Sequence, residues 1–224
     1  DTIHPRIKEA EKTICLDEIN ITAEQLQKID RIFLAACGTA YHAGLVGKYA
    51  IESLARIPVE ADLASEFRYR NPMLTENSLL IVVSQSGETA DTLAALRLAK
   101  EHGARVLAVT NVVGSSVARE ADDVLFTWAG PEIAVASTKA YVTQLAAMFL
   151  IAGHFAELLG TISKDEVAEI VTALNNVPEQ VSQVLENVKS IEKLAGFLAE
   201  DDNCFFIGRG MDYAVAMEGS LKLK

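Results

Sequence analysis

The feature that most constrains the fold is a continuous apolar run, Leu79 to Val83, preceded by Ser78. A run of Leu, Ile and Val without a polar break is typical of a strand buried on both faces, and such strands occur in parallel sheets covered by helices. The segment from Glu88 to His102 then has helical spacing, and Gly103 suits its C-terminal cap. The run therefore predicts a strand–helix unit of an α/β protein.

The same alternation of strand and helix recurs through most of the chain. Further strands are predicted over residues 31–36, 58–61, 105–110 and 123–127. Helices are predicted over residues 40–54 and 115–120, around Glu66, and after Lys139. Capping boxes at Thr22 to Gln25 and at Ser163 to Glu166 each predict a helix start. This order implies a parallel sheet with helices on both faces.

The last third of the chain differs from the alternating part. The second capping box opens a helix that is predicted to run to about Leu174, and Pro178 suits the first turn of the next helix. Residues 203–207 predict a strand, and Gly208 to Gly210 separates it from a C-terminal helix, an order that repeats the unit around Gly38. We therefore expect an N-terminal linker or helical segment over 1–30, a first domain over 31–200, and the beginning of a second, similar domain over 201–224.

Charge and cysteine content restrict the partners and the compartment. The chain has 20 Lys and Arg against 31 Asp and Glu, a net charge of −11, which argues against a nucleic-acid-binding surface. A small anion can still be held by local amide dipoles. Cys15, Cys37 and Cys204 are widely spaced without a CxxC pair, so we expect no disulfide framework, no metal site and a reducing cytoplasm. The start at Asp1, without Met or a signal peptide, suggests an internal fragment.

The longest apolar stretch runs from Ala140 to Leu159. Thr143, Gln144 and Glu157 interrupt it, so it fails as an unbroken membrane span. We expect a buried or interface helix instead, and a homodimer is a reasonable hypothesis.

The most informative polar segment is Ser84 to Thr89, which follows the best-predicted strand and opens a helix. Ligands of parallel α/β folds bind at the carboxyl ends of the strands, and free N–H groups at a helix start favour an anion. Gly87 allows the backbone to approach closely. Ser84, Gln85, Ser86 and Thr89 offer hydroxyl and amide groups that suit a phosphate monoester. The alternative is that Ser86 only caps the helix.

Three other places could contribute to a site. Thr39, after Cys37 and Gly38, offers a hydroxyl to a ligand or to a helix cap. Residues 129–139 combine a Gly-Pro turn with small residues, which suits a wall over a bound sugar, although Ser137 or Thr138 could be a plain N-cap. Glu218 and Lys222 lie four apart on one predicted helical face and fit either an ion pair or a site.

His42 lies in the first turn of a predicted helix and has no Cys or carboxylate partner nearby in sequence. We interpret it as structural or exposed.

Six strings closely resemble the isomerase part of the glucosamine-6-phosphate synthase family and occur in that family's order. They are ACGTAYHAG (36–44), ASEFRYR (64–70), SQSGETADTL (84–93), VGSSVARE (113–120), EIAVASTKAY (132–141) and FIGRGMDYAVAMEGSLKLK (206–224). SQSGET alone points only to the wider sugar-isomerase (SIS) superfamily. ASEFRYR, VASTK and the final GRG–EGSLKLK together indicate the synthase family, and the match covers the chain from about Ile32 to its last residue.

The resemblance implies a three-layer α-β-α sandwich around a five-stranded parallel sheet, no cofactor, and fructose 6-phosphate and glucosamine 6-phosphate as ligands. It also implies which residues hold the substrate. The phosphate would lie on Ser84, Gln85, Ser86 and Thr89 with Thr39 nearby, and Val135 and Ser137 would contact the sugar. The family usually has Ser at the position of Ala40, so one phosphate hydrogen bond, worth about 1 kcal/mol, is expected to be missing.

The family transfers ammonia from glutamine to the opened ketose and isomerises the product to an aminoaldose. Lys222 matches a lysine implicated in its proton-transfer site, and Glu218 lies one turn before it. The resemblance places the main catalytic residues after Lys224 and a glutaminase domain before Asp1. The chain alone is therefore expected to bind sugar phosphate without turning it over.

Two other functions remain open at this point. Similar domains sense phosphosugars in some transcription regulators, but that reading predicts a helix-turn-helix with a basic recognition helix, and this chain is strongly acidic. A related enzyme, such as a deglycase acting on fructosamine phosphates, would share SQSGET, while VASTK and EGSLKLK favour the synthase family.

Overall fold

The structure, a computed structural model, describes residues 1–134 and 136–224. It opens with a 3₁₀-helix over His4–Arg6. The strands are β1 (Ile7–Lys8), β2 (Thr13–Ile14), β3 (Arg31–Ala36), β4 (Val59–Leu63), β5 (Ser78–Ser84), β6 (Arg105–Thr110) and β7 (Asp123–Phe126). The helices are α1 (Ala23–Lys28), α2 (Thr39–Leu54), α3 (Ala64–Phe67), α4 (Ala90–Glu101), α5 (Ser116–Glu120), α6 (Lys139–Leu159), α7 (Lys164–Glu186), α8 (Val188–Leu198) and α9 (Met211–Leu223).

The centre is a five-stranded sheet in the order β4-β3-β5-β6-β7, and every neighbouring pair is parallel. From β3 the chain moves outward to β4 on one side, and from β5 to β7 on the other. The strand order therefore reverses between β3 and β5. In open α/β sheets ligands bind at such a reversal, outside the carboxyl ends of the strands. The loops after β3 and β5 flank this place.

Helices cover both faces of the sheet and complete the expected three-layer α-β-α sandwich. Leu79, Ile81 and Val83 of β5 join a core with α2 and α6, whereas Leu80 and Val82 join a second core under α4. All seven residues of β5 are buried. Burial on both faces explains why this strand is an unbroken apolar run in the sequence.

The strands and helices predicted for residues 31–126 are confirmed, with boundaries that differ by at most two residues. Both capping boxes are present, at Thr22 and at Ser163. Gly103 follows α4 with φ +77°, as a C-terminal cap requires.

The first thirty residues pack on the sandwich, and they contain a hairpin that the sequence did not predict. Strands β1 and β2 pair antiparallel, and Ile14 and Leu16 are buried in the core on the α6 side. Arg6 is 1% exposed and donates to the carbonyls of Thr2 and Phe126 at 2.7 and 2.8 Å. These bonds tie the segment to the end of β7 and satisfy a buried guanidinium that would otherwise be costly.

Two predicted elements of the last third are wrong. Helix α7 continues through Pro178, without the break predicted near Leu174. Proline removes one hydrogen bond from a helix interior, and this stretch of α7 is exposed, so water can serve the freed carbonyl. Residues 203–207 form no strand in the described part of the chain, and Phe205 and Ile207 are 89% and 91% exposed. A strand needs a neighbour for its backbone groups, and no strand among residues 1–134 and 136–224 pairs with this segment.

Helix α6 is long and apolar enough to cross a membrane by length and composition, and 56% of that window is buried inside the fold. It packs closely on α2: a Cβ added at Gly47 would lie 2.4 Å from Sδ of Met148. This burial fits the predicted core helix.

Candidate functional site

A tight turn after β5 shapes the candidate site. Gly87 has φ +66°, and a Cβ at this position would lie 2.1 Å from Oγ of Ser115 and 2.9 Å from Oγ1 of Thr110. The Gly87 carbonyl accepts a hydrogen bond from the N–H of Val117 at 3.0 Å. Glycine is therefore required both for the backbone conformation and for the close approach of the loop after β6.

Hydroxyl groups line this turn. Ser84 is 3% exposed; its Oγ accepts from the N–H of Gly87 at 3.0 Å and lies 3.2 Å from Oγ1 of Thr89. Oγ of the exposed Ser86 accepts from the N–H of Glu88 at 3.2 Å. Helix α4 begins at Ala90, and no side chain among the described residues caps it. The alternative that Ser86 is a helix cap is therefore wrong, and the first N–H groups of α4 have no side-chain acceptor.

A cavity of about 270 Å³ lies where the turns after β3 and β5 meet α6. Its lining residues are Cys37, Thr39, Ala40, Val83, Ser84, Gln85, Ser86, Thr89, Ser137 and Gln144. Seven of the eight expected substrate-binding residues thus come together; the eighth, Val135, lies outside the described residues. A wider groove of about 1430 Å³ shares Gln85, Ser86 and Ser137 with it and extends past Asn111 and Trp128.

The start of α6 forms one wall of the cavity. Oε2 of Glu132 accepts from the N–H groups of Thr138 and Ala140, each at 3.1 Å, and these bonds lower the pKa of the Glu132 carboxyl. Thr138 occupies the N-cap position of α6, but neither its side chain nor that of Ser137 makes a capping bond, and the Glu132 carboxylate accepts from the helix start instead. Oγ of Ser137 is buried and has no hydrogen-bond partner among the described residues.

Gln144 is a cavity residue that the sequence analysis did not assign to the site. It is 2% exposed, lies two turns after Ser137 on α6, and its Oε1 has no hydrogen-bond partner in the described ranges. One feature of the sequence could have indicated Gln144: it follows Ser137 by seven positions, about two helical turns, and is an uncharged polar residue in a largely apolar helix. Buried polar groups are normally paired, so this amide is suited to a ligand.

Helix α9 brings a charged cluster to the edge of the cavity. The Glu218 carboxylate is 4% exposed; its Oε1 accepts from Nζ of Lys222 at 2.9 Å and from Oγ1 of Thr39 at 3.0 Å. Nζ of Lys222 also donates to Oγ1 of Thr39 at 2.8 Å. The predicted i,i+4 ion pair is confirmed, and it touches a residue that lines the cavity. A threonine hydroxyl has one proton, and that of Thr39 is directed to Glu218, so Thr39 can donate to a phosphate only by releasing this carboxylate.

His42 completes the cluster and is buried, at 8% exposed. Its Nδ1 lies 2.7 Å from Oε2 of Glu218, which is 176 residues away in sequence. The structural interpretation of His42 agrees with this burial, but its carboxylate partner could not be found from neighbouring residues.

Tyr141 faces the same carboxylate from α6. Burial and the negative charge of Glu218 raise the pKa of the Tyr141 hydroxyl to about 12, so it stays protonated at neutral pH. Its Oη is buried without a hydrogen-bond partner among the described residues. The site thus offers hydroxyls, amides, helix-start N–H groups, one amine and one carboxylate. Within the described ranges, no three His, Cys, Asp or Glu side chains are grouped as metal ligands.

Comparison with curated proteins finds relatives that match the whole chain. This chain is 62% identical over 224 residues to the isomerizing glutamine–fructose-6-phosphate aminotransferase of Clostridium perfringens, and 63% identical over the same length to that of Caldanaerobacter subterraneus subsp. tengcongensis. The chain spans 37% of the length of each of these relatives.

Solved structures give the same picture of the fold. The C-terminal domain of glucosamine-fructose-6-phosphate aminotransferase from Francisella tularensis matches with a TM-score of 0.92 and 37% identity, covering 99% of this chain and 62% of that one. A glucosamine-6-phosphate deaminase from Thermotoga maritima matches with a TM-score of 0.69 and 26% identity, covering 89% of this chain and 59% of that one.

The family comparison covers the part of the chain that carries the turns after β3 and β5. A family model described as the SIS domain matches residues 25–152, more than half of the sequence. The parallel sheet, the strand reversal and the hydroxyl-lined turn all lie within that match or at its edge. The chain belongs to the SIS domain family.

Proposed function

We propose that this chain is the sugar-phosphate-binding part of an isomerizing glutamine–fructose-6-phosphate aminotransferase, and that it binds fructose 6-phosphate and glucosamine 6-phosphate. The observation that carries the proposal is the convergence of Ser84, Ser86 and Thr89 on one cavity at the strand reversal. Neutral hydroxyls beside the N-terminus of a helix suit a phosphate monoester. The names of the relatives support the choice of sugar.

In this proposal different walls of the cavity contact different parts of the ligand. Ser84, Gln85, Ser86 and Thr89 bind the phosphate, and Val135 and Ser137 contact the sugar. The wider groove adjoins the cavity at Gln85, Ser86 and Ser137, so a sugar extending from the phosphate would have space on that side.

Lys222 and Glu218 are proposed as part of the proton-transfer site. Conversion of a ketose into an aminoaldose moves a proton between two neighbouring carbons, and this requires a group that accepts a proton and returns it. The Lys222 amine lies at the edge of the cavity, paired with Glu218 at 2.9 Å. The resemblance to the family at Lys222 and the contact with Thr39 support the assignment.

The test is calorimetric titration of the chain with fructose 6-phosphate and glucosamine 6-phosphate, repeated on Ser86→Ala. Loss of one hydrogen bond to a charged phosphate should weaken binding about 10-fold. Ser182→Ala on α7 is the matched control, because its exposed hydroxyl bonds only to the Pro178 carbonyl and lies outside the cavity lining. Equal affinities for Ser86→Ala and the parent chain would contradict the proposal.

The relatives also bear on the two alternatives. Those at 62% and 63% identity are named as aminotransferases, which favours the synthase reading over a phosphosugar-sensing regulator or a deglycase.

We further propose a domain division at about residues 30 and 200, a homodimeric assembly and a cytoplasmic location. The second boundary is supported by two glycines at helix starts: Gly38 has φ 56° and ψ −133°, and Gly210 has φ 58° and ψ −130°. Matching conformations are what two similar glycine–helix junctions would show. Three free thiols, among the described residues, fit a reducing compartment. A sedimentation measurement that gave a monomer mass at all concentrations would contradict the dimer.

A further inference from the structure

His42 is a buried polar group that the proposed function leaves unused. It lies three residues after Thr39 in the first turn of α2, on the same side of the helix. It does not line the cavity, so it cannot act on a ligand there directly. Its one polar contact among the described residues is with Glu218 on α9, at 2.7 Å.

The Glu218 carboxylate divides its two oxygens between different partners. Oε2 faces His42, while Oε1 accepts from Lys222 and Thr39. A donor held on one oxygen fixes the rotation of a carboxylate, and this turns the other oxygen toward its own partners. Without His42 the Glu218 carboxylate would be buried with one oxygen unpaired and free to rotate.

Lys222 places an amine at the edge of the cavity, where it contacts the lining residue Thr39. A lysine side chain is flexible, and its amine is placed only by what binds it. Here Glu218 and Thr39 hold Nζ at 2.9 and 2.8 Å, beside the cavity.

We propose that His42 is a positioning residue: it orients Glu218, and Glu218 in turn holds the Lys222 amine at the edge of the phosphate cavity. This inference rests on the proposed function, because it assigns His42 to the affinity for sugar phosphate. A merely structural His42 would dock α9 on α2 and change stability without acting through Lys222.

The test is a calorimetric double-mutant cycle on the full 224-residue chain with glucosamine 6-phosphate. We expect His42→Leu to weaken binding about 3- to 10-fold and Lys222→Gln to weaken it about 10-fold. The double variant should bind within about 2-fold of Lys222→Gln alone, because the effects of residues that act through one another are not additive. His42→Asn places an amide N–H near the position of Nδ1 and should bind within about 2-fold of the parent chain. Thermal unfolding of every variant checks the fold.

The outcomes separate this inference from the proposed function. If the affinity losses of the two single variants multiply in the double variant, His42 does not act through Lys222. The same follows if a folded His42→Asn binds as weakly as His42→Leu. Either result overturns the role of His42 and leaves the proposed function standing. Should His42→Leu not fold, His42→Ala takes its place in the cycle and His42→Asn still decides. Absence of binding by the parent chain, or binding that Ser86→Ala leaves unchanged, overturns the proposed function and the role of His42 with it.

Discussion

At the scale of single residues, Gly87 is the position in the candidate site least able to accept a side chain. Ala at this position combines a left-handed backbone with a Cβ 2.5 Å from Cβ of Ser115, an atom that cannot rotate away. We expect Gly87→Ala to lower the free energy of unfolding by about 2–4 kcal/mol and to displace the turn that we propose to bind phosphate. Denaturant unfolding and sugar-phosphate titration measure the two effects.

Gly114→Ala is the matched control for that change. Gly114 has φ +76° and nothing lies within 4 Å of an added Cβ, so only the backbone strain of about 1 kcal/mol remains. Equal destabilisation by the two substitutions would show that the contact with Ser115 does not matter.

Ala40 is the cavity residue at which the resemblance in sequence leads us to expect Ser instead. It is 8% exposed and lines the cavity beside Thr39. We expect Ala40→Ser to restore one hydrogen bond to the phosphate and to tighten glucosamine 6-phosphate binding about 5-fold, as measured by calorimetry. Unchanged or weaker binding by a folded Ala40→Ser would place the phosphate away from this turn.

The position of a residue in the site could be predicted from the sequence only where neighbouring residues reveal it. Ser84, Ser86 and Thr89 could be predicted because they follow an obvious strand and the geometry of parallel sheets places such residues at the ligand edge. The contact of His42 with Glu218 could not, because 176 residues separate them and each alone has an ordinary explanation. Gln144 was missed because its place at the cavity depends on how α6 packs against the turns after β3 and β5.

At the scale of secondary-structure elements, α6 combines a core face with a titrating group. Burial lowers the pKa of His154, opposed by its hydrogen bond to the Ile14 carbonyl and by Glu157. The folded state therefore resists protonation, whereas the unfolded chain binds a proton near pH 6.5. We expect the free energy of unfolding to fall as the pH drops below about 6.5, and His154→Gln to remove that part of the pH slope.

The free energy of unfolding of the variant is subtracted from that of the parent chain at each pH. The carboxylates contribute equally to both, so their contribution cancels. Ser182→Ala, at the exposed surface of α7, changes no ionisable group; it is the control and should leave the slope of the free energy of unfolding against pH unchanged. A His154→Gln chain with the full parent slope would contradict the prediction.

Elements could be predicted where local pattern and tertiary environment agree. β5 is buried on both faces and is a plain apolar run, and the two capping boxes define helix starts by themselves. The β1–β2 hairpin could not be predicted, because its strands are two residues each and β2 is held by contacts with α6 and α7. Residues 203–207 show the opposite case: a strand-like sequence forms no strand when no neighbouring strand is present.

At the scale of the whole molecule, the sheet order explains why distant segments meet at one place. The strand reversal between β3 and β5 opens a crevice, and α6 and α9 reach it from different parts of the sequence. Thr39 links the two halves of the site, since it lines the cavity and bonds to Glu218 and Lys222 on α9. We therefore expect a phosphate bound at Thr39 to alter the contacts that hold α9.

The most direct test of the central claim is a crystal structure of the chain grown with glucosamine 6-phosphate. We predict that the phosphate lies within hydrogen-bond distance of Ser84, Ser86 and Thr89, in the cavity of about 270 Å³, with the sugar directed toward Ser137. A phosphate bound in the groove beside Trp128, with the Ser84–Thr89 turn unoccupied, would contradict the assignment of this turn as the phosphate site.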